Sequence, residues 1–254
     1  MAKNDDGQEI PFWQTKSFLA SAGVIGVVVL AGGGLMVRPL LPGSSTPDQG
    51  SEDTHFPLGP SGEPILPSEV PLSDASQSVC GLEPSEGEFE GFPRGTSWDY
   101  IGAMQVPSHE DHGPGLLSEE RVPSCWALSP EGAVNAALAY GALANDAELA
   151  LPAAEQMLAQ GKGRESALNG LRENGAQVVR AEMQGVRLLT FGYDRARVDI
   201  AMVVDDLASE TVMSSVVDLR WEDGDWKIAT RDSGAMMVPP STVSDLSDYT
   251  PVGP

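Results

Sequence analysis

One uncharged run limits how this chain can fold more than any other feature of its sequence. Residues 18–37 contain no charged side chain, and Lys16 and Arg38 stand just outside them. Because a helix rises about 1.5 Å per residue, a run of this length spans about 30 Å, the thickness of a bilayer's hydrocarbon core. The run also lacks the polar face of a helix buried in a soluble domain. The sequence therefore predicts a transmembrane helix at residues 18–37, in contact with the lipid bilayer.

The basic residues around this run predict its orientation. Lys3 and Lys16 precede it, whereas Arg38 alone follows it closely. Since basic residues favour the cytoplasmic side, we expect a single-pass cell membrane protein with a cytoplasmic tail at residues 1–17 and an extracellular C-terminal domain. A cleaved signal peptide is the alternative, because residues 31–34 are small. The run is longer than a typical signal-peptide core, so we favour an uncleaved signal-anchor.

Two segments have the composition of disordered chain. Residues 39–93 contain ten prolines, ten acidic residues and neither lysine nor arginine. Such a composition buries too little apolar surface to form a core, so we expect a disordered stalk at residues 38–78 that holds a domain away from the membrane. Residues 232–254 have no periodicity, four prolines and no basic residue, so we expect a disordered tail.

Hydrophobic patterning predicts an α+β domain at residues 79–231. Alternating apolar residues at 96–101 indicate a first strand. A helix is expected to begin after Ser129, a good N-cap that is followed by proline. Two more helices are expected over residues 152–160 and 164–174. Gly161 and Gly175 follow them directly, and glycine commonly ends a helix.

The remainder of this domain reads as about four long antiparallel strands. Gly185 interrupts the alternation of the first of them, which is typical of a bulge that bends a strand. The pair Asp223-Gly224 predicts a two-residue hairpin turn. That turn would place Trp221 opposite Trp226, and we expect both rings to pack in the core of the sheet rather than to bind a ligand.

The order of strand, three helices and bent antiparallel sheet resembles the nuclear-transport-factor-2-like cone, and in membrane-anchored form the assembly-factor domains of type IV secretion and the TcpC-like conjugation proteins. Short motifs also resemble those of uncharacterised membrane-anchored envelope proteins of high-GC Gram-positive bacteria. These motifs are Val79-Cys80-Gly81-Leu82, Thr96-Ser97-Trp98, Gly113-Pro114-Gly115, Ser124-Cys125-Trp126-Ala127 and Gly132-Ala133. The resemblance implies three helices packed on a curved sheet, a role beside conjugative elements, and no catalytic residues.

Cys80 and Cys125 are the two cysteines of the chain. If the domain is extracellular, the oxidising surroundings favour a disulfide between them, which would join the end of the stalk to the start of the first helix. A redox-active thiol is the less favoured alternative, because the chain lacks a Cys-x-x-Cys spacing.

Other candidates for chemistry are weaker. His109-Glu110-Asp111-His112 contains metal-ligand residue types, but the spacing is not that of a helical zinc site, so we expect a solvated acidic loop. Asp199, Asp218 and Glu222 fall on the polar phase of their strands, so we expect them to point away from the core. We therefore expect no catalytic, metal or cofactor site.

Charge and architecture together predict the function. The formal net charge of −22 excludes a phosphate-binding surface typical of nucleic-acid proteins. The anchor, stalk and domain predict a non-enzymatic envelope protein whose partners are other envelope or conjugation-apparatus proteins, or a second copy of itself. The alternative is a small-molecule-binding or enzymatic nuclear-transport-factor-2-like domain, anchored or secreted, which would need an open interior pocket with a desolvated acid.

Overall fold

The structure, a computed structural model, describes residues 77–204 and 212–254. The predicted cytoplasmic tail, the predicted transmembrane helix at residues 18–37 and nearly all of the predicted stalk lie outside the described residues. Within the described ranges, no helix is long and apolar enough to cross a membrane.

The described chain begins with short strands that precede three helices. β1 (Ser97–Ile101) and β2 (Met104–Ser108) form an antiparallel hairpin, and β3 (Leu116–Leu117) pairs with β4 (Pro123–Ser124). The helices follow as α1 (Pro130–Ala144), α2 (Ala150–Met157) and α3 (Lys162–Asn174).

The second half of the domain is an antiparallel sheet of six strands. Four of them are consecutive in sequence: β5 (Ala181–Phe191), β6 (Arg195–Val204), β7 (Val212–Glu222) and β8 (Asp225–Ile228). Two short strands join them, β9 (Ser241–Val243) and β10 (Thr250–Pro251). The order across the sheet is β10-β5-β6-β7-β8, and β9 pairs with one end of β7. Every pairing in it is antiparallel.

Helix α1 forms the centre of the core. Ser129 caps it, as predicted, because its hydroxyl accepts a hydrogen bond from the backbone N–H of Gly132 at 2.9 Å. The helix is apolar around nearly its whole circumference and is buried against β5, β6, β7 and β8. Gly141 faces the sheet, and a Cβ atom there would lie 2.9 Å from the terminal methyl of Met183.

Two local predictions about the sheet are confirmed. Asp223 and Gly224 both have positive φ angles and close the β7–β8 hairpin, which pairs Trp221 with Trp226. Those two rings meet edge to face at 5.3 Å between centroids, and Trp226 is completely buried. The register of β5 also shifts between Met183 and Gly185, where the bulge was expected.

The prediction of a nuclear-transport-factor-2-like cone is wrong. The structure has three helices among its described residues and a six-stranded antiparallel sheet, with no such cone. The element order alone could not fix the topology, because β1 and β2 form a sheet of their own. In addition, the main sheet recruits β9 and β10 from beyond the predicted domain boundary at residue 231.

The prediction of a disordered tail at residues 232–254 is also wrong. Residues in this segment form β9, which pairs with β7, and β10, which pairs with β5 at Gly185 and Val186. Tyr249 is 7% exposed and packs on the sheet. The tail lacks periodicity because its order comes from contacts with distant strands rather than from its own pattern.

Candidate functional site

The two cysteines are bonded to each other in the structure. Cys80 and Cys125 lie at disulfide distance, with 6.0 Å between their Cα atoms. Cys125 is completely buried, whereas Cys80 is exposed. A Cβ atom at Gly115 would collide with the sulfur of Cys80, so this glycine is what lets the chain pass close beside the disulfide. The bond fixes residue 80 against the segment that leads into α1.

A groove of about 370 Å³ lies beside the disulfide, and we call it the disulfide-side groove. Val79 and Leu116 line it together with Leu158, Gln156 and Lys227. Val79 is 60% exposed and Leu116 48%, and Leu117, the next residue of β3, is 67% exposed. Two large apolar side chains of the groove, Val79 and Leu116, are therefore presented to solvent, and Leu117 is exposed next to Leu116 in β3.

The backbone that carries these apolar side chains is held in place. The N–H of Val79 donates to the carbonyl of Gly224 in the β7–β8 turn at 2.8 Å. Leu116 and Leu117 pair with β4, which ends one residue before Cys125. The three exposed side chains therefore extend from a backbone that is held in place by hydrogen bonds.

Asp225 connects the hairpin to the segment before α1. The carboxylate is 2% exposed, and its Oδ1 accepts hydrogen bonds from the backbone N–H groups of Trp126 and Trp226, each at 3.0 Å. Its Oδ2 is 3.1 Å from the ammonium of Lys227. Asp225 therefore satisfies two buried donors and pairs with one cation, and these contacts stabilise the wall of the disulfide-side groove.

The histidine-containing loop is built differently from the expectation. The acidic residues Glu110 and Asp111 are exposed, but the side chains of His109 and His112 are only 8% and 17% exposed. The Nδ1 of His112 is 3.1 Å from the Ser129 hydroxyl that caps α1. Burial lowers the pKa of His112; the charges of Glu131 and Asp111 oppose this, and that of His109 adds to it. The two imidazoles therefore contribute to packing and hydrogen bonding around the helix start.

No group of three or more metal-ligating side chains in the described part of the chain is placed to hold a metal ion. The rings of His109 and His112 lie 5.0 Å apart between their centroids.

The three strand carboxylates lie on the face of the sheet away from the core, as predicted, but one of them is buried there. Asp218 and Glu222 lie on the outer face of the sheet, opposite α1, where they pair with Arg197 and Arg220. Asp199 lies on the same face, as predicted, yet it is only 2% exposed. The reason is Tyr249 of the tail, which covers Asp199 and donates a hydrogen bond to it.

Comparison with known proteins gives one match. The family model described as Domain of unknown function (DUF8175) matches residues 60–251. Neither the curated proteins nor the solved structures contain a significant match to the chain.

Proposed function

We infer the function from geometry alone, because this chain belongs to the family Domain of unknown function (DUF8175), whose description assigns no activity. We propose that the chain is an envelope protein that displays its disulfide-bonded domain outside the cell as a protein-interaction module. The partner binds at the disulfide-side groove.

The exposed apolar side chains at this groove are the observation that carries the proposal. Val79, Leu116 and Leu117 are each about half to two thirds exposed on a backbone that the disulfide and the hairpin hold in place. Apolar side chains that remain together at the surface of a rigid domain cost hydration free energy that a partner can recover by covering them. Charged side chains such as Glu155, Arg164 and Lys227 also line the groove, so a partner of complementary charge can form ion pairs beside the apolar contact.

The packing of the interior supports a binding module over an enzyme with a buried acid. The space between α1 and the sheet is filled by large side chains that are essentially completely buried, among them Trp126, Trp226, Tyr140 and Met157. Asp199, a buried carboxylate of β6, lies on the face away from α1 and binds Arg187 and Tyr249. This arrangement gives that carboxylate a structural use.

Display outside the cell rests on the sequence and on the disulfide. Disulfides persist mainly in oxidising compartments, and both cysteines of the chain are bonded. The uncharged run at residues 18–37 would supply the anchor. A place in a conjugation or secretion apparatus stays a prediction that depends on the partner's identity.

Site-specific photo-crosslinking in the native envelope tests the proposal. The full chain would carry benzoylphenylalanine in place of Leu117, and a matched control would carry it in place of Val178, which is 53% exposed at another site. We expect a covalent adduct with a second protein from position 117 and none from position 178. Adding Leu116→Asp should abolish the adduct, because a charge replaces an apolar contact.

Two results would overturn this proposal. The first is the absence of any adduct from position 117, and the second is the same set of adducts from both positions, which would indicate collision rather than binding. An adduct with a second copy of the chain would identify the partner as the protein itself, and mass spectrometry of the crosslinked peptide separates that outcome from a different partner.

A further inference from the structure

A second groove, of about 360 Å³, lies on the outer face of the sheet and is distinguished by its arginines. Arg195 and Arg197 of β6 and Arg220 of β7 line it, along with Asp194 and Asp218. We call it the arginine groove and define it by the three arginines. It gathers positive charge in a chain that has 37 acidic and 15 basic residues.

Two of these arginines are direct neighbours across the strands. Arg195 is the register partner of Arg220 in the β6–β7 pairing. Like charges directly opposite each other on a sheet are unfavourable, so sheet stability alone would not favour this pair. The two arginines also affect the pKa of Asp194. The hydrogen bond from Arg195 lowers this pKa most, and the positive charges of Arg195 and Arg220 lower it further.

Each arginine of the groove has a carboxylate nearby, yet each remains partly exposed to solvent. Arg195 contacts Asp194 at 2.7 Å, Arg197 contacts Asp218 at 3.2 Å, and Arg220 is 3.7 Å from Glu222. The three arginine side chains remain 77%, 44% and 53% exposed. A guanidinium has five N–H donors, and the hydrogen bonds from Arg195 to Asp194 come from Nε and one terminal nitrogen. Exposed ion pairs of this kind stabilise a fold weakly.

Another arginine on the same face of the sheet, Arg187, has a structural role. Arg187 forms two close contacts with the buried Oδ2 of Asp199, and the ring of Tyr249 lies over its guanidinium at 4.5 Å. The tail thus covers Asp199 and packs on Arg187, whose side chain is 39% exposed. The arginine groove lies at the other end of the face, where the guanidinium groups reach solvent.

We propose that the arginine groove binds an acidic segment of the partner protein, with one carboxylate held between Arg195 and Arg220. This inference rests on the proposed function, because it names the chemistry of the same partner at a second surface. A bridging carboxylate would relieve the repulsion between the two arginines, and planar guanidinium groups bind carboxylates through paired hydrogen bonds.

A short acidic segment fits this groove better than a polyanion does. The formal charge of −22 repels a long phosphate chain over most of the surface. A segment with a few carboxylates experiences the groove mainly at short range, since charges farther away than about 8 Å are largely screened at physiological salt.

Fluorescence anisotropy with a labelled hexaglutamate peptide tests the inference on the full chain in detergent at physiological salt. We expect saturable binding that R195A/R220A weakens by about tenfold or more, because charge-assisted hydrogen bonds are lost. The matched control R94A/R172A removes two exposed arginines elsewhere and should leave the affinity unchanged. R195K/R220K keeps the charge and the fold but loses the planar geometry, so we expect intermediate binding.

Three results would overturn the inference: no binding of hexaglutamate to the unaltered chain, equal binding by R195K/R220K and the unaltered chain, or displacement of the peptide by inorganic phosphate at matched concentration. The outcome is independent of the photo-crosslinking experiment. A chain that binds hexaglutamate but gives no adduct from position 117 would retain the arginine groove and lose the proposed function.

Discussion

Tyr249 donates a hydrogen bond of 2.6 Å to Oδ2 of Asp199, fifty residues earlier in the chain. The same oxygen accepts a hydrogen bond from Nε of Arg187 at 3.0 Å. Tyr249 packs against Gly185. A Cβ atom added at Gly185 would lie 2.8 Å from the Cβ of Tyr249. The C-terminal segment is therefore part of the folded domain, and it converts an outward-facing carboxylate into a buried one.

Replacing Tyr249 by phenylalanine should destabilise the domain. The substitution removes one donor from a buried carboxylate while it keeps most of the apolar contact. We expect a loss of about 1.5–3 kcal/mol in the free energy of unfolding, the range for hydrogen bonds to charged groups. Guanidinium denaturation of the full chain followed by tryptophan fluorescence measures it.

Tyr193 offers the matched control for this prediction. Its hydroxyl bonds to Glu86, but that hydrogen bond is exposed to solvent. Tyr193→Phe should therefore cost less than about 0.5 kcal/mol, as is usual for a surface substitution. Equal effects of the two substitutions would mean that the tail is not docked on the sheet as described.

Asp225 should be among the residues least tolerant of substitution. Asp225→Ala would leave two buried backbone N–H groups, of Trp126 and Trp226, without their shared acceptor. It would also leave Lys227 without its carboxylate partner. Breaking a buried charged network of this kind costs about 3–5 kcal/mol. Thermal unfolding compared with Asp232→Ala, an exposed carboxylate, checks the prediction, and a comparable loss from both would contradict it.

His112 should make stability depend on pH in the mildly acidic range. Burial lowers its pKa in the folded protein below the ordinary value of 6.5, so the unfolded chain binds the proton first as pH falls. The stabilisation is present above the ordinary pKa of 6.5 and should decrease as pH falls below it towards 5.

The comparison of His112→Gln with the unaltered chain isolates this effect. Denaturation at pH 7.5 and pH 5 should show a smaller difference for His112→Gln, because the histidine no longer titrates. His55→Gln, which alters a histidine of the predicted stalk, should leave the difference unchanged. If His112→Gln shows the same pH dependence of stability as the unaltered chain, the burial of His112 is not the cause of that dependence.

Features encoded by neighbouring residues could be predicted from the sequence. The Asp223-Gly224 turn fixes the register of its own hairpin, and Ser129 with the following proline fixes where α1 begins. The end of α2 was predicted three residues too late, at 160 rather than 157. There Leu158 turns extended and bridges to Ile228, a contact with a strand about seventy residues away.

Features that depend on distant pairings could not be predicted in this way. The tail has no periodicity, so nothing local indicated that Tyr249 would bury Asp199. The arginine groove was missed for the same reason: that Arg195 faces Arg220 follows from the register of β6 and β7, which no turn signal in the sequence specifies. The topology of the sheet depends on such pairings as well, which is why the expected cone was wrong.

The central claim is that a disulfide-bonded domain is displayed outside the cell membrane. The direct test treats intact cells with a membrane-impermeant maleimide, with and without prior reduction, and scores the labelling of exposed Cys80 in the full chain. We predict labelling of intact cells only after reduction. Labelling without a reductant would contradict the disulfide, and labelling that requires cell lysis would contradict the extracellular location.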